Sequence, residues 1–122
     1  MKQLQVTEIK AFVPARDFAL SKRCYEDLGF TIAWSDDDLA YVRCGECSFL
    51  LQNFYHPEHA ANFMMHLLVP DVAAWWKQVE GSQVMTKYGM RAEPPADRPS
   101  GLRDFTLVDP TGVLWRVGQN IR

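Results

Sequence analysis

Apolar residues recur along this chain with two periods, and the switches between them mark the elements. From Gln5 to Val13, β-branched and aromatic residues alternate loosely with polar ones, which predicts a strand stopped by Pro14. Asp17 then stands where an N-cap belongs. Phe18, Ser21, Cys24, Tyr25 and Leu28 follow at helical spacing until Gly29 supplies a left-handed stop, predicting a helix from about Phe18 to Leu28. Phe30 to Trp34 is β-rich, Ser35 to Asp38 is an acidic turn, Leu39 to Cys44 reads as a strand, and Gly45-Glu46 turns the chain into Cys47 to Phe54.

Residues 55–62 are loop-like and fall near the middle of the chain, as a linker would. The plan then repeats. Phe63 to Val69 is a strand ending in Val-Pro as the first one did, and Asp71 caps a helix in which Val72, Trp75, Trp76 and Val79 share one face and Gly81 gives the stop. A short strand near Gln83 to Lys87 and a loop from Arg91 to Ser100 lead to Leu102–Asn120, two strands joined by Asp109-Pro110-Thr111-Gly112. Pairing Val108 with Val113 would set Phe105 opposite Arg116 and Leu107 opposite Leu114, with the four side chains on one face. The result is a single α+β domain over residues 1–122, made of two βαβββ modules at about 1–55 and 62–122. Each helix can shield one face of its sheet, leaving the other face curved and open for a ligand or a second subunit.

Composition narrows the function classes. A net charge of -2, with Lys and Arg scattered, gives no basic patch for nucleic acid or an anionic membrane. No run approaches the roughly 20 apolar residues of a membrane span, and the first residues lack the apolar core of a secretory signal. Three cysteines without such a signal argue against a disulfide framework and for a reducing, cytoplasmic setting. No nucleophile elbow or Gly-rich phosphate loop is present.

The paired plan, together with PARDF, YEDLGF, FYHP and DPTGVLWRVGQN, resembles the vicinal oxygen chelate superfamily of glyoxalases, extradiol dioxygenases and antibiotic-resistance proteins. It resembles most the bleomycin-resistance branch. That resemblance implies curved mixed sheets with helices on the convex side. It also implies a metal-free homodimer that binds a cationic, flat-ringed glycopeptide at the subunit interface and does not catalyse. Enzymes of the superfamily hold a divalent metal on the inner strands, at positions that match Lys10, Gln52, Met64 and Arg116 here. Two cations repel a metal ion and a thioether is too soft for Mg, Mn or Fe, so the expectation is no cofactor. The alternative is a metal-dependent lyase, isomerase or dioxygenase using Glu8, Gln52 and His66 in a shifted register.

Other constellations carry less. Cys44, Cys47, His56 and His59 spell C-x2-C-x8-H-x2-H, but the gap is short for a zinc finger, and a strand over residues 48–54 would carry the histidines away from the thiols at about 3.3 Å per residue. As a redox pair, C-G-E-C lacks a helix N-terminus to stabilise a thiolate. Asp36, Asp37 and Asp38 read as a solvated turn, and at least one of Trp75 and Trp76 as core. The expected ligand-binding residues are Trp34, Phe54, His66, Phe105, Arg116 and Arg103, with the small-molecule partner a bleomycin-like drug or an aromatic metabolite.

Overall fold

The computed structural model describes residues 2–122. Its first sheet takes β1 (Phe12–Pro14), β2 (Thr31–Ser35), β3 (Leu39–Cys44) and β4 (Cys47–Gln52) in the order β1-β4-β3-β2; its second takes β5 (Met64–Leu68), β6 (Arg91–Asp97), β7 (Leu102–Val108) and β8 (Leu114–Asn120) in the order β5-β8-β7-β6. In each sheet the first strand pairs in parallel with the last and the remaining pairs are antiparallel. This is an α+β architecture of two mixed four-stranded sheets with helices. The helices are α1 (Phe18–Asp27), α2 (Pro57–Ala61), α3 (Val72–Ser82) and α4 (Val84–Tyr88).

The two long helices begin where their caps place them. Asp17 accepts the Leu20 N–H at 3.1 Å and Asp71 accepts the Ala74 N–H at 3.1 Å, each satisfying an N–H that has no partner within its helix. α1 buries Ser21, Cys24 and Tyr25, while α3 buries Val72 and Val79. Both faces feed one core. Tyr25, Phe30, Phe49 and Trp115 meet with ring centroids 5.2–6.0 Å apart, so aromatic residues from both halves form the centre of the molecule.

Several elements depart from the sequence reading. β1 is short and includes Pro14, which is tolerated because an edge strand has one row of N–H groups without ladder partners. α3 runs through Gly81 and stops at Gln83, which takes the left-handed conformation at φ 58°. Residues 84–88 are helical rather than extended: Val84 is fully buried and Met85 packs against the core, so tertiary burial overrides β propensity. The expected linker contains α2, with Pro57 in its first turn, where a missing N–H costs nothing. The expected loop from Arg91 contains β6, an edge strand whose ladder shifts between Glu93 and Ala96, at Pro94-Pro95.

The last hairpin is offset by one residue from the expected pairing. Val108 pairs with Leu114, Leu107 with Trp115, Thr106 with Arg116 and Phe105 with Val117. Asp109 sets this register. Its N–H donates to the Val113 carbonyl at 2.9 Å, and its Oδ1 accepts the N–H groups of Thr111, Gly112 and Val113 at 2.9–3.0 Å. The loop is therefore Pro110-Thr111-Gly112, and Asp109 belongs with the ladder. A slip of one residue reverses the face of every side chain on one strand relative to the other, so Phe105 and Arg116 lie on opposite faces.

Candidate functional site

Each sheet has a helix side, closed by the core, and an open side. On β3 and β4 the buried residues Ala40, Val42, Phe49 and Leu51 alternate with more exposed neighbours, and the alternation assigns Tyr41, Arg43, Ser48, Leu50 and Gln52 to the open side. Trp34, the ladder partner of Tyr41, joins them and is 53% exposed. Phe12, paired with Leu50, adds a second exposed ring at the β1 edge.

The segment before β1 runs over this face. Glu8 accepts the Tyr41 hydroxyl at 2.7 Å, accepts the Ser48 hydroxyl, and pairs with Lys10 at 3.0 Å. These bonds, that of Ser48 foremost, lower the Glu8 pKa to about 2, so the carboxylate is ionised over nearly the whole pH range. The segment also leaves Leu4, Val6 and Ile9 almost wholly exposed.

On the second sheet Trp115, Val117, Phe105 and Leu107 face the helices, so Met64, His66, Leu68, Leu114 and Arg116 lie on the open side. Met64 and Leu68 are both more than half exposed. His66 pairs directly with Arg116 across β5 and β8. Beside them Asp104, 2% exposed, takes Arg98 Nε at 2.7 Å and Arg116 Nη1 at 3.3 Å. A buried carboxylate thus fixes two guanidinium groups at the edge of this face, in charge-assisted bonds.

Of the residues expected to bind a ligand, Trp34 lies on the open side of the first sheet, and His66 and Arg116 lie together on the open side of the second. Phe54 follows β4 in a loop, half exposed, its ring 6.4 Å from that of His59. Phe105 and Arg103 turn the other way. Phe105 is 0% exposed and packs on Trp76 at 5.1 Å, in the core; Arg103 shares its side of β7 and pairs with Asp97 at 2.6 Å. Both placements follow from the one-residue offset. The sequence reading did not single out Tyr41, Ser48 or Asp104. An acidic residue inside a strand, with arginines on either side of it in sequence, was the available signal for Asp104.

A divalent site finds little support in the donor set. Glu8 is taken up by Tyr41, Ser48 and Lys10 on the first sheet, whereas His66 belongs to the second. Among the described residues no three His, Cys, Asp or Glu side chains come together as metal ligands would. On the open sides Lys10 pairs with Glu8 and Arg116 with Asp104, whereas Arg43 lies over the Tyr41 ring, 5.7 Å from its centroid. The open faces present aromatic and apolar surface with a few polar groups set among it. No helix among the described residues is long and apolar enough to cross a membrane.

Known proteins share this fold. A bleomycin resistance protein from Klebsiella pneumoniae is 32% identical over 113 residues, covering 88% of each chain. The crystal structure of a bleomycin resistance determinant encoded on the transposon Tn5 superposes with a TM-score of 0.81 at 27% identity, over 94% of this chain and 98% of the other. That of a bleomycin-binding protein complexed with bleomycin superposes with a TM-score of 0.80 at 27% identity, over 94% and 99%. The family profile described as the Glyoxalase/Bleomycin resistance protein/Dioxygenase superfamily matches residues 5–117, and the chain belongs to that superfamily.

Proposed function

We propose that this protein is a binding protein, metal-free at the inner-strand positions, that sequesters a bleomycin-type glycopeptide in a groove formed where the open faces of two copies meet. The observation that carries this reading is the apolar surface left on both open sides: Phe12 and Trp34 on the first sheet, Met64 and Leu68 on the second. Surface of that kind is covered in a stable soluble protein, by a partner or by a ligand. A second copy covers it symmetrically, and Trp34 supplies a ring on which flat heteroaromatic groups can stack. The relative solved with bleomycin bound supports the ligand class. Binding without catalysis accords with positions Lys10, Gln52, Met64 and Arg116, none of which offers a hard anionic donor.

Titration with metal-free bleomycin tests this, read by tryptophan fluorescence and by calorimetry, with sedimentation of the same sample giving the subunit count. Saturable quenching by a dimer is expected, and Trp34→Ala should weaken binding by at least tenfold, about 1.4 kcal/mol, while its thermal transition stays near that of the wild type. The absence of both quenching and heat at drug concentrations that saturate the bleomycin-binding protein solved with bleomycin would overturn the ligand assignment. A monomer that still binds would overturn the shared groove.

A further inference from the structure

The hairpin joining β3 to β4 carries chemistry that drug binding does not use. Cys44 closes β3, Cys47 opens β4, and the two are direct ladder partners across Gly45-Glu46, with Gly45 at the positive φ of 59° that such a turn requires. Facing residues in an antiparallel pair project to the same side, so the two thiols lie together. Cys44 is in step with Ala40 and Val42, and Cys47 with Phe49 and Leu51, which places both on the helix side. Cys44 is half-buried, Cys47 is exposed, and both are free thiols. The pair sits where the core opens to solvent.

A cleft of about 320 Å³ begins there, and Cys44, Cys47 and Met65 are among its walls, with Phe30, Val42 and Trp115. Met65 lies on the helix side of β5, packs against the core and lines the same cleft as the two cysteines. His66 borders the same cleft, but strand alternation sends its ring to the open side. With no three His, Cys, Asp or Glu converging among the described residues, tetrahedral zinc is short of ligands. Two thiolates and a thioether instead form a donor set for a soft ion. The expected spacing agrees. Facing residues hold their Cβ atoms roughly 4.5–5.5 Å apart. A disulfide needs about 3.5–4.5 Å, less than that usual cross-strand spacing, which leaves room for an ion held between the two thiolates.

We propose that Cys44, Cys47 and Met65 form a binding site for copper(I) at the mouth of the cleft between the first hairpin and β5. Binding exchanges two thiol protons for one monovalent cation, leaves the site with a single negative charge and moves no electron.

The reduced full-length protein titrated against the coloured copper(I)–bicinchoninate complex tests the site. The wild type should withdraw one equivalent of copper per chain. The Cys44→Ser, Cys47→Ser double variant should lose that withdrawal, and Met65→Leu, which preserves volume, should weaken it. Unchanged circular dichroism ties the loss to the missing ligands. If the double variant does not fold, alkylating the accessible thiols of the folded wild type gives the same comparison, because Cys24 is buried. A wild type that leaves the chelator's colour unchanged, a double variant that withdraws as much as the wild type, or stoichiometric zinc uptake without copper uptake would each overturn the proposal.

Discussion

Two carboxylates, one from each half of the molecule, accept a tyrosine hydroxyl and tie distant segments together, yet they respond to their surroundings in opposite ways. Asp109 is 4% exposed: its Oδ2 takes the Tyr25 hydroxyl at 2.6 Å, Tyr25 in turn accepts the Trp115 indole N–H at 3.0 Å, and three backbone N–H groups bind its Oδ1. Glu8 lies over the open side of the first sheet, where Ser48, Tyr41 and Lys10 reach it in contact with solvent. Burial raises the Asp109 pKa despite its hydrogen bonds, whereas at Glu8 the hydrogen bonds prevail and lower it. The linkage signs follow. The folded state holds the Asp109 proton more tightly than the unfolded state does, so that contribution is full below the ordinary value of 3.8 and declines as pH rises through the folded value. The Glu8 contribution is full above its ordinary value of 4.5 and is lost as pH falls toward 2. The junction between halves is thus locked in the interior, and the segment ahead of β1 is held by an exposed clamp that acid and salt can release.

The sharpest way to break this contrast is Asp109→Ala. It strands three backbone N–H groups and the Tyr25 hydroxyl in or near the core, and the expected loss is about 3 kcal/mol or more in urea unfolding. A loss below about 1 kcal/mol would mean that water replaces the carboxylate and that the turn is not the lock. Tyr25→Phe should cost less, about 1–3 kcal/mol, because it leaves Asp109 its backbone donors. The two changes should be strongly non-additive in a double-mutant cycle, since both remove the same 2.6 Å bond.

How much of this was legible in the chain depended on local punctuation. The helix starts at Asp17 and Asp71 and the paired βαβββ order carried local signals, and the structure has both. β6 was not legible, because Pro94-Pro95 reads as a loop unless the strand is known to be an edge that can bulge. Nor was α4, whose Val84 is β-branched and helical only because the core takes its side chain. For the site, Trp34, His66 and Arg116 were found on the open faces, while Phe105 and Arg103 were placed on the wrong side of β7. One residue decided that. Counting the turn as four residues or three changes the face of every partner, and the side chain of Asp109, which makes it three, acts through contacts that sequence spacing does not reveal.

The smallest expected effect tests the other member of the pair. Glu8→Gln should leave the global melting transition in place, because Glu8 is exposed and contributes no core contact. Its signature lies in titration. Followed by the NMR shifts of Ser48 and Tyr41, the wild type should inflect near pH 2, where the Glu8 carboxylate takes its proton and releases both hydroxyls. The variant should show no such inflection, and high salt should move the wild-type inflection upward by screening Lys10. A wild-type inflection at the ordinary glutamate value of 4.5 would show that the clamp is open in solution. The segment ahead of β1 would then be free to leave the face that carries Trp34, and the contrast with Asp109 would become one between a fixed junction and an unfixed arm.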